Sequence, residues 1–189
     1  MEEMILNEGK VLPGGILKVG SFLNQQIDAG LLKEVGEEIA SMYEGEGVTK
    51  ILTIESSGIA IAAAAGIAMG VPVLFAKKHK TSNVDGEVYR ARVHSFTHGN
   101  DYDAVVSRDF LSSEDRVLLV DDFLASGNAL NGLLELSAAA GAEVLGAVVA
   151  IEKRFQGGGD ELRAKGLRVD ALALIESMGD DGVVFGHLE

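Results

Sequence analysis

Apolar residues recur along this chain at two different spacings. Leu32, Val35, Ile39 and Met42 fall at three- and four-residue intervals with Glu34, Glu37, Glu38 and Ser41 between them. That period predicts an amphipathic helix over 29–43, with Asp28 placed to cap it and the Gly45 to Val48 stretch ending it. Lys50 to Ile54 is instead a short continuous run of buried-strand type. A loop, Glu55-Ser56-Ser57-Gly58, leads from it into an Ala-rich helix over 59–69, and Gly70-Val71-Pro72 turns into a strand over 73–76. Val117 to Val120 and Val144 to Ile151 are further apolar runs, each followed after a loop by a helical stretch (130–140 and 160–165), and 169–175 is a last strand. Strand, loop and helix in repetition predict an α/β fold, a parallel central sheet flanked by helices on both faces. Residues 87–96 and 103–107, joined through His98-Gly99-Asn100-Asp101, interrupt that alternation as a β-hairpin. Gly15 to Asn24 has no clear period, Gly157-Gly158-Gly159 is expected to be flexible, and 177–189 carries little information.

Length and composition narrow the possibilities. A chain of 189 residues is most simply one domain, 1–189. The absence of Cys excludes disulfides, thiolate metal sites and a Cys nucleophile. The first ten residues contain no signal-peptide core, and the apolar run 59–69 is too short to span a bilayer, so a cytoplasmic protein is expected. A formal net charge of −13 opposes adhesion to nucleic acid or to an anionic membrane. Any anion site must therefore be local. His79, His94, His98 and His187 fall in no ligand-like spacing, so no direct protein metal centre is expected.

The candidate chemistry centres on 116–130, R-V-L-L-V-D-D-F-L-A-S-G-N-A-L. An apolar strand ends in two carboxylates, Asp121 and Asp122, and a loop of small residues precedes a helix. In an open α/β sheet the ligand sits beyond the carboxyl ends of the strands. Ser126, Gly127, Asn128 and Ala129 have little bulk, so a phosphate can approach backbone N–H groups at the helix start. The two acids then face what lies beside that phosphate: sugar hydroxyls, or a hydrated Mg²⁺ bridging to a diphosphate. Receiver domains also have acid pairs at strand ends, but near the start of the domain; here the pair lies past mid-chain. The hydroxyls and glycine of Ser56, Ser57 and Gly58 suit a diphosphate in the same way. Lys77-Lys78-His79-Lys80 is the only dense cationic cluster, a candidate flap that closes over the diphosphate and excludes water.

The 116–130 stretch resembles the phosphoribosyl-diphosphate signature of the type I phosphoribosyltransferases. L-K-V-G-S-F-L-N (17–24), T-I-E-S-S-G-I-A (53–60), F-A-K-K-H-K (75–80), V-D-D-F-L-A-S-G-N-A (120–129) and I-E-K-R-F-Q (151–156) extend the likeness over nearly the whole chain, toward the members that take xanthine. The resemblance implies a type I fold with a flap hairpin and a small hood formed by the N-terminal segment. It implies transfer of a phosphoribosyl group from 5-phospho-α-D-ribose 1-diphosphate (PRPP) to xanthine, with Mg²⁺ carried by PRPP and bridged by water to Asp121 and Asp122. By the same resemblance Ser56, Ser57 and Gly58 meet the diphosphate, Ala125 to Ala129 hold the 5-phosphate, and Asp121, Asp122, Lys78 and Lys80 serve catalysis. Leu17, Asn24, Lys153 and Phe155 meet the purine, and the chain forms a homodimer.

One position departs from the oxopurine pattern. Hypoxanthine–guanine members carry an Asp in the phosphate loop as a candidate base for N7, where this chain has Ala125, as adenine members do. Xanthine is the more acidic oxopurine, so the expectation is that it arrives partly as an anion whose charge Lys153 offsets, with no protein base required.

Overall fold

The computed structural model describes residues 1–78, 86–94, 101–179 and 182–187. The chain opens with α1 (Glu2–Glu8), a small antiparallel hairpin of β1 (Lys10–Leu12) and β2 (Ile16–Lys18), and a π-helical turn over Gly20–Asn24. There follow α2 (Ala29–Met42), β3 (Lys50–Ile54), α3 (Gly58–Met69) and β4 (Val73–Ala76). A separate antiparallel hairpin pairs β5 (Val88–His94) with β6 (Asp101–Ser107). The second half is β7 (Arg116–Leu124), α4 (Asn128–Ala140), β8 (Glu143–Lys153), α5 (Gly158–Ala164), β9 (Val169–Ala171), β10 (Leu174–Gly179) and β11 (Gly182–Gly186).

The main sheet runs β11-β10-β8-β7-β3-β4, with β9 also paired to β8; every pairing is parallel except β10 with β11. The strand order reverses between β3 and β7, and at such a point the loops leaving neighbouring strands diverge and leave a crevice at their carboxyl ends. The central strands alternate sides even though both faces are buried. Leu118 and Val120 pack with Val35, Ile39, Ile61 and Ala65 of α2 and α3, whereas Val117 and Leu119 pack with Leu130, Leu133 and Leu136 of α4. Ala91 and Val93 of the β5–β6 hairpin cover that second layer. Asp28 caps α2 as expected, its Oδ1 accepting the Leu31 N–H at 2.9 Å.

Several elements differ from the sequence expectation. β7 does not stop at Val120: its pairing with β8 continues through Leu124, so both acids lie within the strand, and Asp121 is only 5% exposed. Mixed polar and apolar residues at 121–124 hid the extension, which the eleven-residue partner strand β8 imposes. The expected strand over 169–175 is two, β9 and β10, and the uninformative tail supplies β11. Gly158 and Gly159 are not a flexible run but the buried first turn of α5. The aperiodic N-terminal segment folds through turns, and Ile5, Leu17, Val19, Phe22 and Leu23 insert into the α2–α3 layer of the core, forming the hood over one end of the sheet.

Candidate active site

At the reversal point lies a cleft of about 480 Å³, lined by residues from six parts of the chain. β3 ends at Ile54 and the loop after it brings Glu55, Ser56 and Ser57 to the wall. Gly58 begins α3 beneath that wall. A Cβ there would lie 2.5 Å from Thr53 Oγ1 and 2.7 Å from Asp121 Oδ1, so only glycine lets the loop sit this close to the acid. The buried Thr53 hydroxyl has no hydrogen-bond partner among the described residues.

Asp121 and Asp122 form the floor. Asp121 Oδ1 accepts the Asp122 N–H at 2.9 Å. Burial, and then the adjacent Asp122 charge, push the Asp121 carboxyl well above the usual carboxylate range.

Beyond the acids the chain turns through Ala125 to Ala129, all five of which line the cleft. Gly127 sits at φ 80°, ψ 5°, a left-handed conformation that side-chain-bearing residues avoid, and it directs the chain into α4. Asn131 Nδ2 donates to the Gly127 carbonyl at 3.0 Å, and Asn128 Nδ2 donates to the His94 carbonyl at 3.1 Å, tying the loop to the β5–β6 hairpin.

Lys153, Leu17 and Asn24 also line the cleft. Lys153 is half-buried, its ammonium 5.4 Å from the centre of the Phe123 ring and donating to the Gly15 carbonyl of the hood at 3.0 Å. Burial lowers its pKa from the ordinary lysine value. Lys78 completes the lining: its N–H donates to Glu55 Oε1 at 2.6 Å, and its ammonium lies 5.3 Å from the centre of the Tyr102 ring.

The cleft thus brings together Asp121, Asp122, Lys78, Ser56, Ser57, Ala125 to Ala129, Leu17, Asn24 and Lys153. Phe155 is not in its wall; the 3₁₀ turn after β8 leaves that ring 46% exposed. His79 and Lys80 lie outside the described residues. Sequence reasoning missed Glu55, Tyr102 and Phe123. Phe123 could have been found only by extending β7, which puts it two residues beyond the buried acid. Arg90, Arg92 and His94 form the exposed face of the hairpin, paired across strands with Asp103 and Asp101.

A profile of the phosphoribosyl transferase domain matches residues 24–169. The chain belongs to the phosphoribosyltransferase family. Among relatives of this family, the xanthine phosphoribosyltransferase of Oceanobacillus iheyensis is 49% identical, over 98% of this chain and 95% of its own. That of Limosilactobacillus reuteri is 45% identical over 98% and 97%. The fold is likewise that of solved phosphoribosyltransferases. The APRTase of Giardia lamblia, complexed with 9-deazaadenine, superposes with a TM-score of 0.77 at 22% identity, over 90% of this chain and 95% of its own. The adenine phosphoribosyltransferase of Saccharomyces cerevisiae gives 0.72 at 18%, over 90% and 97%. Among the described residues no helix is long and apolar enough to cross a membrane.

Proposed function

We propose that this phosphoribosyltransferase makes xanthosine 5'-monophosphate (XMP) and diphosphate from xanthine and PRPP. The observation that carries the reading is the set of groups gathered in one cleft: the small-residue loop Ala125 to Ala129, the acid pair Asp121 and Asp122, and the half-buried Lys153. These match a phosphate, a ribose and an oxopurine. The bond from ribose C1 to the diphosphate oxygen breaks and its electrons leave with the diphosphate. A ring nitrogen of xanthine bonds to C1, and a purine that binds neutral gives its proton to solvent.

Asp121 and Asp122 accept hydrogen bonds from the ribose hydroxyls and favour the positive charge that develops at C1. Backbone N–H groups at the start of α4 hold the 5-phosphate, and those around Ser56 to Gly58, with Lys78, take up charge on the departing diphosphate. Lys153 donates to the oxygen edge of the base. Asn24 serves the 2-oxo edge that hypoxanthine lacks.

The chain's donors fit Mg²⁺ arriving with its substrate. The described residues include no cluster of three or more His, Cys, Asp or Glu able to enclose a metal, and Mg²⁺ is commonly held by one or two carboxylates plus substrate phosphates. Asp121 and Asp122 are the residues that would hold it, through water, and when bound it would neutralise diphosphate charge. A homodimer and a cytoplasmic location belong to the same reading; sedimentation tests the first.

Incubation with PRPP, Mg²⁺ and each of xanthine, guanine, hypoxanthine and adenine, with nucleotides resolved by chromatography, tests the reaction. XMP formed faster than any other nucleotide is expected. No XMP, or a faster reaction with another base, overturns it.

A further inference from the structure

Behind the cleft, outside its lining, an ion pair with a fully buried carboxylate reaches two parts of the lining through the backbone. Glu152 is fully buried at the end of β8, one residue before Lys153, with Leu124 and Leu174 as its strand neighbours. A carboxylate in such surroundings is tolerated only when paired and hydrogen-bonded. Arg163 of α5 meets it as a fork: Nη1 donates to Oε1 at 2.8 Å and Nη2 to Oε2 at 2.5 Å. The same guanidinium donates from Nε and Nη2 to the Val169 carbonyl, at 3.1 and 3.0 Å. α5 is therefore pinned from behind to β8 and β9. At its front, the Gly158 N–H donates to the Ala125 carbonyl at 3.1 Å. A Cβ on Gly158 would collide with the backbone of Ala125, Ser126 and Gly127, and one on Gly159 would collide with Glu152 Oε1. The two glycines close the space between the ion pair and the phosphate-loop backbone, leaving no slack.

We propose that Glu152 and Arg163 are positioning residues for the transfer reaction: their ion pair holds α5 so that Gly158 props the 125–129 loop from behind, while Glu152 fixes the adjoining Lys153. The device sets the span between the phosphate and the base. It rests on the transfer reading given above. A pair that only stabilised the fold would lower the melting temperature and leave kinetic constants unchanged well below it. A positioning pair also changes how both ligands are held, because misplacement of either wall by a fraction of an ångström is felt in the reaction.

The test compares Glu152→Gln, Arg163→Lys and Gly158→Ala with wild type, using steady-state kinetics for each substrate and hydrogen–deuterium exchange of the ligand-free protein. For Glu152→Gln, kcat/KM should fall at least roughly tenfold for both PRPP and xanthine. Exchange should quicken in peptides covering 124–131 as well as 153–165, with β3 unchanged. Arg163→Lys, which keeps the charge but loses the fork, should show the same pattern more weakly. Gly158→Ala should raise the KM for PRPP and leave that for xanthine near wild type. If Glu152→Gln does not fold, the other two variants decide. Wild-type kinetics in them with only a lowered melting temperature, or exchange at 124–131 that matches wild type, overturns the proposal. A wild type that makes no XMP removes the transfer reading instead, and exchange at 124–131 still decides whether the pair governs the loop.

Discussion

The wall from Ala125 to Ala129 presents backbone, shaped by one left-handed glycine and backed by another backbone segment. Another part of the lining presents side chains, Lys153 and Asn24, with the Lys153 ammonium near the ring of Phe123 and bonded to the hood. A backbone cradle suits a group that every substrate of the family shares, since a phosphate needs N–H donors and room but no discrimination. Side chains suit the part that varies, because one substitution can change which edge of a base is satisfied while the fold is left alone. In the proposed reaction the acids act on the ribose that joins the two parts. Substitutions should therefore sort into three kinds: those at the acids stop turnover, those on the lysine wall change one ligand, and those in the cradle change selectivity only if they add a charge.

The largest effect is expected at the acids. Asp121→Asn combined with Asp122→Asn keeps shape and removes both charges, and kcat should fall by at least roughly 100-fold, the scale seen when preorganised stabilisation of developing charge is removed. Circular dichroism should show an intact fold. Undiminished turnover would take the acids out of the reaction and end the division into two walls joined at the ribose.

Lys153→Ala is next. A hydrogen bond to a charged group is worth ~1.5–3 kcal/mol, so the KM for xanthine should rise by about 10- to 150-fold. The KM for PRPP should stay near wild type. Equal losses for both ligands would mean that the lysine wall is not specific to the base.

The two walls also differ in how legible they were in the sequence. The cradle and the acids follow one another within ten residues, so a single local pattern drew together Asp121, Asp122 and Ala125 to Ala129, all of which line one cleft. The base wall is assembled from residues as far apart as Gly15, Phe123 and Lys153, and no spacing rule links them. The resemblance brought Leu17, Asn24 and Lys153 to that wall, but it also included Phe155, which the turn after β8 leaves outside the cleft. The hood was implied by the resemblance alone and left no periodic signal, because Leu17, Val19, Phe22 and Leu23 are buried from turns and a three-residue strand, where neither helical nor strand period develops. Gly158 and Gly159 looked like a flexible run for a related reason: the sequence shows missing side chains, and only the packing shows that the space they leave is filled.

A smaller effect is expected from adding charge to the cradle. Ala125→Asp places a carboxylate where hypoxanthine–guanine relatives have one, able to take a proton from a neutral purine and to repel an anionic one. Like charges ~4 Å apart at an effective dielectric of ~20 repel by up to about 4 kcal/mol, and Ala125 is only half-buried, so solvent reduces this. The kcat/KM ratio should move from xanthine toward hypoxanthine by about tenfold, most at alkaline pH. A ratio that is flat with pH, or that moves toward xanthine, removes the anionic-substrate account.

The smallest effect, and the one that isolates the charge on the base wall, is the alkaline dependence of xanthine binding. Lys153 donates best as an ammonium, and burial lowers its pKa from the ordinary value, so the proton is lost earlier as pH rises. The KM for xanthine should therefore climb as pH rises, starting below the range where an exposed lysine titrates, while the KM for PRPP stays flat. The sign for stability is opposite. A pKa depressed in the folded chain contributes stability that is present above the unfolded value and lost as pH falls through the folded one, so an ammonium at this position is held at a cost to the fold. Lys153→Arg separates the two: its guanidinium stays protonated throughout, so the alkaline rise in xanthine KM should disappear, whatever the variant's starting affinity. If the rise persists in Lys153→Arg, the titrating group is xanthine itself or another side chain, and the charge on this wall does not set the pH dependence of base binding.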